Sequence, residues 1–204
     1  MSDAQEIHVT ERTVQDALYH LLRLSAVWPI LPNVDCITGY ECDLLAVTKA
    51  GYAHEYEIKL SLADFRADRK KVHKHASLAG RTKQIRHPYY LPPPAHSPYP
   101  ETMHVLQDAD ESDPALAWRG RCWPERRPKR FWYVVHGFAP PMAEVPEYAG
   151  LMTYHQDQHA SRAFTVERQA PDLPSQKVAD EHMVHATNNM LFRYWQIRTE
   201  RTLT

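Results

Sequence analysis

The sequence predicts an α/β domain in which a mixed central β-sheet is flanked by helices. Two observations support this fold class: helical and strand-like periodicities follow one another along the chain, and the strand segments fall between three helical ones. A chain of 204 residues with 43% hydrophobic content can bury one sizeable core but is short for two. We therefore expect a single domain over residues 1–204.

The first predicted element is an amphipathic helix from Thr10 to about Leu24. Thr10 is an acceptable N-cap, and Glu11 lies in the first turn, where a carboxylate interacts favourably with the helix dipole. The apolar residues recur at helical spacing and are Val14, Ala17, Leu18, Leu21 and Leu22.

Two β-rich segments come next, TGYECDLLAVT and GYAHEYEIKL, and they predict a hairpin that turns at residues 49–51. Side chains alternate between the two faces of a strand. In the second strand Glu55, Glu57 and Lys59 therefore share one face, so the hairpin collects charged groups on that face.

Ser61 and Asp64 have the spacing of a capping box, which predicts a second helix over SLADFRADRKKVHKHASLAG that ends at Gly80. Three short strands are predicted in RFWYVVHGF, AGLMTYH and SRAFTVERQ. QKVADEHMVHATNNMLFRYWQIR predicts a closing helix.

An irregular, proline-rich and charged insertion is predicted at about residues 80–130. Twelve of the sixteen prolines lie between Pro88 and Pro146. A loop of this length inside a compact domain is uncommon and indicates either function or disorder. We expect the insertion to be mobile in the free protein and to become ordered on DNA or on a protein partner.

The composition narrows the class of protein and its compartment. A formal net charge of −1 argues against a wholly basic nucleic-acid coat protein and against an acidic DNA mimic. The sequence contains no apolar run of about 18 residues, so we expect no membrane association. Three cysteines without a CxxC spacing fit a reducing cytoplasm, of a bacterial cell or of a host if the chain is phage-encoded.

The strongest chemical signal is Asp43 on one strand followed by Glu57, Ile58 and Lys59 on the next. Two carboxylates that converge where adjacent strands splay suit Mg²⁺ or Mn²⁺, and the Ile58 backbone carbonyl is a candidate further ligand. A bound ion of this kind lowers the pKa of a coordinated water and stabilises charge on a phosphodiester oxygen. The Lys59 ammonium can orient the attacking group or offset transition-state charge.

These residues resemble the D…(D/E)xK motif of the PD-(D/E)XK nuclease superfamily. The longer string EIKLSLADFRADRK, residues 57–70, resembles the EIK-x-S-x-x-DF-x-x-D-x-K stretch of the MmcB-like family of bacterial DNA-repair endonucleases, and RFWYVVHGFAPPMAEVPEYAGLMTY resembles that family's later strands. The similarity covers roughly residues 11–79 and 130–170. It implies a restriction-endonuclease-like core, divalent-metal nuclease chemistry and a DNA substrate. The insertion, and Cys42 in place of the usual proline, depart from the pattern.

Each residue has a simpler interpretation. An isolated D…ExK most often belongs to a solvated strand face. Glu55 is a candidate ligand, but we favour solubility of a strand edge. Glu11 is a candidate to enter the site from the first helix, as a helical glutamate sometimes does in the superfamily, although its place near the helix dipole is the favoured interpretation. Asp64 is expected to be the cap partner of Ser61, with support of the site as the alternative.

The basic residues are grouped in two blocks, one after Lys59 and one before residue 131. Such blocks are typical of phosphate contacts, with a solvated helix face and a charged linker as the alternative. The predicted DNA contacts in the helix after Ser61 are Arg66, Arg69, Lys70, Lys71 and Lys74.

The function predicted from the sequence is metal-dependent hydrolysis of DNA, by an endonuclease of DNA repair or of phage DNA metabolism. Two alternatives stay open: a catalytically inactive DNA-binding module, and a phage-encoded protein-interaction factor that binds a host protein through residues 80–130. The sequence also leaves open whether the protein forms a homodimer.

Overall fold

The computed structural model describes residues 8–24, 29–34, 40–86, 102–108, 110, 127–156 and 162–200. These ranges contain four α-helices, which are α1 (Glu11–Leu24), α2 (Leu62–Asp68), α3 (Val72–Leu78) and α4 (Asp180–Glu200). The same ranges contain eight strands: β1 (Ile30–Val34), β2 (Cys42–Val47), β3 (Ala53–Lys59), β4 (Thr82–Arg86), β5 (Thr102–Leu106), β6 (Arg130–Val135), β7 (Ala149–Tyr154) and β8 (Phe164–Arg168).

Six strands form a mixed central sheet in the order β1-β2-β3-β6-β7-β8. The β1–β2, β2–β3 and β7–β8 pairs are antiparallel, whereas β3–β6 and β6–β7 are parallel. Strand β3 is therefore the point at which the sheet changes from antiparallel to parallel. Helix α2 follows the carboxyl end of β3, and α3 follows α2. The segment after Lys59 therefore lies beside the middle of the sheet.

Helices cover both faces of this sheet. On one face α1 buries Val14 and Leu18 against Leu44, Ile58 and Val134. On the other face the core consists of α2, α3 and sheet residues such as Phe65, Leu78, Phe131 and Tyr133. Ala186 of α4 packs there against Leu31, Leu45 and Val47. The α/β class with a mixed sheet flanked by helices is confirmed.

Several predicted elements are present. Thr10 caps α1 by accepting a hydrogen bond of 3.2 Å from the Thr13 backbone N–H, the β2–β3 hairpin forms, and β6, β7, β8 and α4 lie in the predicted segments. The single helix predicted from Ser61 to Gly80 is wrong. The backbone leaves helical geometry at Lys71, where ψ is 73°, and this break separates α2 from α3. The break turns α3 so that residues 74–78 are all buried.

The irregular insertion predicted at about residues 80–130 is partly wrong. Strands β4 and β5 lie within it and pair in antiparallel register from Thr82↔Leu106 to Arg86↔Thr102. Val105 is fully buried, and β5 contacts α3. Residues 87–101, 109 and 111–126 lie outside the described residues, and the predictions of mobility and of partner binding fall largely on them.

Strand β1 was not predicted, and its sequence shows why. It is five residues long and carries Pro32 at its centre. Val47 donates its backbone N–H to the Pro29 carbonyl, so residues 29 and 31 direct their backbone groups toward β2, and alternation turns the Pro32 nitrogen outward. A proline is tolerated in this place because it removes no hydrogen bond from the sheet.

Strands β6 and β7 make an unusually close contact. A Cβ atom built on Gly150 would lie 2.4 Å from Trp132 Cε3. The Trp132 ring stacks on Tyr56 with the ring planes 6° apart. Only glycine leaves room for this indole between β7 and Tyr56.

None of the helices in the described ranges combines the length and the apolar character that crossing a membrane requires. The second half of α4 nevertheless exposes large apolar side chains, and the exposed fraction of Phe192 is 65%.

Candidate active site

The residues of the predicted site lie where β2 and β3 separate. Their backbone ladder extends to the Leu44–Tyr56 pair. One residue further, the Asp43 carboxylate replaces a backbone acceptor, because its Oδ2 accepts a hydrogen bond of 2.6 Å from the Ile58 N–H. The side chain of Asp43 is thereby fixed at the end of the ladder, next to the charged face of β3.

Lys59 lies between the two predicted carboxylates. Its Nζ is 3.0 Å from Glu57 Oε1 and 3.8 Å from Asp43 Oδ2. Glu57 and Lys59 are buried, and the Asp43 side chain keeps 19% of its surface exposed. The structure therefore brings together the three residues that the motif predicts, with Asp43 as the member most open to solvent.

The proximity of these charges shifts their proton affinities. Burial, followed by the negative charge of Glu57, raises the pKa of Asp43 to about 7, and Lys59 and the Ile58 N–H only partly offset this rise. Burial alone would lower the pKa of Lys59, but Glu57 and Asp43 raise it above its usual value. Lys59 is consequently an ammonium at neutral pH.

The donor set fits a hard divalent cation. Asp43, whose pKa is raised by burial and by the charge of Glu57, gains stability as an anion when a cation lies between the two carboxylates. Mg²⁺ typically takes one or two protein carboxylates together with waters and substrate phosphates. Among the described residues, no three or more His, Cys, Asp or Glu side chains are grouped for a metal. The Ile58 carbonyl ligand stays a prediction.

A buried charge cluster lies behind this site. Lys74 of α3 is 1% exposed, and its Nζ is 2.7 Å from Glu57 Oε2, 3.6 Å from Glu55 Oε1 and 3.8 Å from Asp68 Oδ1. Burial raises the pKa of Glu55 to about 7 against the opposing effect of Lys74. For Lys74 itself, the effect of burial is outweighed by Glu55 and Glu57, and its pKa is raised.

Asp68 connects this cluster to the rest of the domain. The Tyr133 hydroxyl donates to Asp68 Oδ2 at 2.9 Å, and His75 Nε2 lies 3.3 Å from the same oxygen. His75 Nδ1 in turn is 2.5 Å from the Tyr148 hydroxyl. Burial alone would raise the pKa of Asp68, but His75 and Lys74 hold it well below its usual range. Asp68 is thus a fixed anion that anchors α2 and α3 to β6.

Helix α1 reaches the site through Gln15, which the sequence interpretation missed. Its Nε2 lies 3.1 Å from Glu11 Oε1, 3.0 Å from Asn33 Oδ1 and 2.8 Å from the Asp43 backbone carbonyl, and these three acceptors share its two N–H groups. Gln15 thereby ties α1 and β1 to the backbone of Asp43. The sequence feature that could have identified Gln15 is its position one turn after Glu11, on the same helix face. Glu11 is close enough for its charge to contribute to the raised pKa of Asp43.

A cleft of about 600 Å³ opens beside Gln15. Residues of α1, β1, β2 and α4 line it, among them Glu11, Asn33 and Ile197. The cleft therefore borders the end of β2 that carries Asp43.

The predicted DNA contacts divide into three groups. The prediction is wrong for Lys74, which is buried in the ion cluster. Arg66 pairs in bidentate fashion with Glu144 at 2.7 and 2.8 Å, and Arg69 donates to the Glu144 carbonyl, so both are tied to the 3-10 turn over residues 142–144. Lys70 is exposed, and Lys71, 56% exposed, lies 2.9 Å from Asp68 Oδ1 and 3.7 Å from Glu57 Oε1.

Two accessory predictions also have clear outcomes. Glu55 is wrong as a residue of a soluble strand edge, because β3 lies inside the sheet and Glu55 is 1% exposed. Asp64 lies in the first turn of α2 and donates its backbone N–H to the Ser61 hydroxyl, which confirms the cap. The Asp64 carboxylate remains half exposed at 4.0 Å from Lys59 Nζ, at the rim of the site.

Comparisons with known proteins bear on the fold alone. No family model matches this chain, and no curated protein matches it. A solved structure of a protein of unknown function from Silicibacter pomeroyi is similar, with a TM-score of 0.51 and 15% sequence identity over 96% of this chain and 95% of that chain. Two chains of such low identity share the α/β architecture over nearly their whole lengths.

Proposed function

We propose that the protein is a deoxyribonuclease of restriction-endonuclease-like fold that hydrolyses DNA phosphodiester bonds with Mg²⁺ or Mn²⁺. One observation carries the proposal: Asp43, Glu57 and Lys59 converge at the splayed end of β2 and β3, with both carboxylates within 4 Å of the Lys59 ammonium. The resemblance of residues 57–70 to the MmcB-like stretch supports the same assignment, including a role in DNA repair or in phage DNA metabolism.

In this proposal Asp43 and Glu57 hold the ion. When bound, the ion supplies positive charge for the phosphodiester oxygen and lowers the pKa of a water. Lys59 keeps its proton at neutral pH, so it orients the attacking group and offsets transition-state charge as a cation rather than as a base. Gln15 holds the backbone of Asp43, and Glu11 and Asp64 lie at the rim.

Lys70 and Lys71 are the cations best placed to meet DNA. Both follow α2 directly, and Lys71 is within 4 Å of Glu57. A phosphate held there is adjacent to the carboxylates. Arg66 and Arg69 extend the same basic surface, with part of their charge neutralised by Glu144.

The test is cleavage of single-stranded, duplex and branched DNA with Mg²⁺ or Mn²⁺, against EDTA. D43N, E57Q and K59M each remove one charge with little change of shape. Each should reduce cleavage by at least about a hundredfold, because a positioned acid, base or electrostatic group contributes on that scale. The matched control is K49M, an exposed lysine in the turn at the other end of β3. Equal cleavage by the wild type and all four variants would reject the assignment.

One observation favours a second candidate, a catalytically inactive DNA-binding module. Both oxygens of Glu57 are already paired with lysines, Oε1 with Lys59 and Oε2 with Lys74. A cluster that is neutralised in this way can serve stability alone. This candidate predicts DNA affinity without metal-dependent cleavage and without Mn²⁺ binding, as measured by electron paramagnetic resonance.

A further inference from the structure

The buried ammonium of Lys74 belongs to the charge cluster behind the site, yet it takes part in no step of the proposed reaction. It enters from α3, whose residues 74–78 are all buried, and it contacts the Glu57 oxygen that Lys59 does not hold. Removing the charge of a lysine from water is unfavourable. A buried ammonium is stable only where neighbouring groups compensate for the lost hydration. The partners of Lys74 therefore indicate its role.

Lys74 contacts one of the two oxygens of the Glu57 carboxylate. We call this oxygen, Oε2, the inner oxygen, and Oε1 the outer oxygen. Oε2 is held at 2.7 Å by Lys74, whereas Oε1 is 3.0 Å from Lys59 and 3.7 Å from Lys71. A carboxylate without an inner partner can rotate about its terminal torsion, which is broad and roughly two-fold. Lys74 on one side and Lys59 on the other therefore fix the plane of the Glu57 carboxylate.

Lys74 is itself held from three sides. Asp68 lies at 3.8 Å and is fixed by the Tyr133 hydroxyl, Glu55 lies at 3.6 Å, and the Phe131 ring centroid is 5.1 Å from the ammonium. The long lysine side chain thus has little freedom. A rigid partner can transmit its own position to Glu57.

We propose that Lys74 is a positioning residue that holds the Glu57 carboxylate in the orientation needed to bind a divalent cation with Asp43. The proposal rests on the proposed function for the identity of the ligand, and on the contacts above for the orientation of Glu57. Lys74 acts through Glu57 and does not touch the ion or DNA. Partners that orient a metal ligand in this way change metal affinity by about 10–100-fold when they are removed.

The test separates positioning from simple neutralisation of buried charge. K74M alone leaves Glu55 and Glu57 buried without their shared counter-ion, which is destabilising. The double variant E55Q/K74M removes one negative and one positive charge together, and methionine matches the length of the lysine stem. E55Q is the matched control. Circular dichroism and urea unfolding establish that both variants fold.

Three quantities are measured on these folded proteins: the orientation of Glu57 in a crystal structure without metal, the Kd for Mn²⁺, and the Kd for DNA in EDTA. In E55Q/K74M we expect the plane of the Glu57 carboxylate to rotate, so that neither oxygen keeps the 3.0 Å contact with Lys59 Nζ. We expect Mn²⁺ affinity to fall at least about tenfold below that of E55Q, within the range for such partners. DNA affinity should be unchanged, because Lys74 is buried.

An unchanged orientation of Glu57 in E55Q/K74M overturns the proposal, and so does an Mn²⁺ affinity equal to that of E55Q. Should the wild-type protein bind no Mn²⁺, the proposed function fails, while the crystal structure of the double variant still decides whether Lys74 positions Glu57. If E55Q/K74M does not fold, E55Q/K74Q replaces it, because glutamine keeps a polar group in place of the ammonium. An unchanged orientation of Glu57 in its crystal structure overturns the proposal in the same way.

Discussion

Asp43 and Ile58 are joined across β2 and β3 by a hydrogen bond from a backbone N–H to a side-chain carboxylate, at 2.6 Å. This bond stands where the next rung of the main-chain ladder would be expected. Asp43 therefore serves the fold and the candidate site together: it completes the hydrogen bonding of β3 and also brings a negative charge next to Glu57.

The first prediction follows from the raised pKa of Asp43. The amide oxygen that D43N introduces can still accept the Ile58 N–H but carries no charge, so D43N should be more stable than the wild type at pH 8 in EDTA. Between the ordinary pKa of 3.8 and the folded value of about 7, the folded chain keeps a proton that the unfolded chain has released. Rising pH therefore disfavours the folded wild type over this window, by up to roughly 1.4 kcal/mol per pH unit.

The measurement is urea unfolding of both proteins from pH 4 to pH 8.5. The advantage of D43N should be near zero at pH 4, grow toward pH 7 and then level off. D43A is the control, because it also removes the charge but leaves the Ile58 N–H without its acceptor. A D43N variant that is less stable than the wild type at every pH would contradict the raised pKa.

The second prediction concerns the exposed lysines after α2. K70A/K71A should weaken binding to DNA of any sequence and lower the salt dependence by about 0.9 log–log slope units per lost phosphate contact. The measurement is a fluorescence-anisotropy titration at several salt concentrations, with K49A/K177A as a charge-matched control at exposed positions away from Lys59. An equal loss in the control pair would show that net charge alone sets the affinity.

The third prediction concerns Glu144, which neutralises part of the basic surface. E144Q should strengthen DNA binding a few-fold at low salt, because it releases the Arg66 guanidinium from a charged partner. Thermal stability should change little, since ion pairs this exposed contribute little to folding. R66M should show the opposite change in affinity. If E144Q and R66M both leave the affinity unaltered, DNA does not approach this side of α2.

The fourth prediction concerns the contact between Gly150 and Trp132. G150A should destabilise the domain by about 1–3 kcal/mol, the usual cost of forcing extra volume into a packed core. W132F removes the ring atoms that the new methyl group would meet. A double-mutant cycle of urea unfolding should therefore show G150A costing less in the W132F background. Strictly additive costs would mean that the strain arises elsewhere, for instance at the Ala170 backbone nitrogen.

Much of the fold was predictable because local patterns and tertiary structure agree. The apolar spacing of α1 points to the face that is buried. The alternation of β3 correctly separates an apolar face from a charged face, but both faces are buried. Strand β1 was not predictable in this way, since a five-residue segment with a central proline has no clear period. The break at Lys71 was missed for a different reason: no proline or glycine marks it, and it is set by the burial of α3.

Only those residues of the candidate site that belong to the motif could be predicted from the sequence. Asp43, Glu57 and Lys59 are close in sequence and belong to a known spacing. Lys74 belongs to a run of cations, and composition cannot distinguish the one cation that enters the core from those that stay in water. Gln15 acts through the backbone of Asp43, a contact that exists only once α1 has packed on the sheet.

The outward-facing nitrogen of Pro32 has a consequence for association between copies of the chain. A bare strand offers a row of donors and acceptors onto which a strand of another molecule can add, and this is a common route to aggregation. At Pro32 the row lacks a donor at the centre of a strand that is only five residues long. A strand that added to β1 from another molecule would find no donor at Pro32, so this residue disfavours extension of the sheet from one molecule into the next.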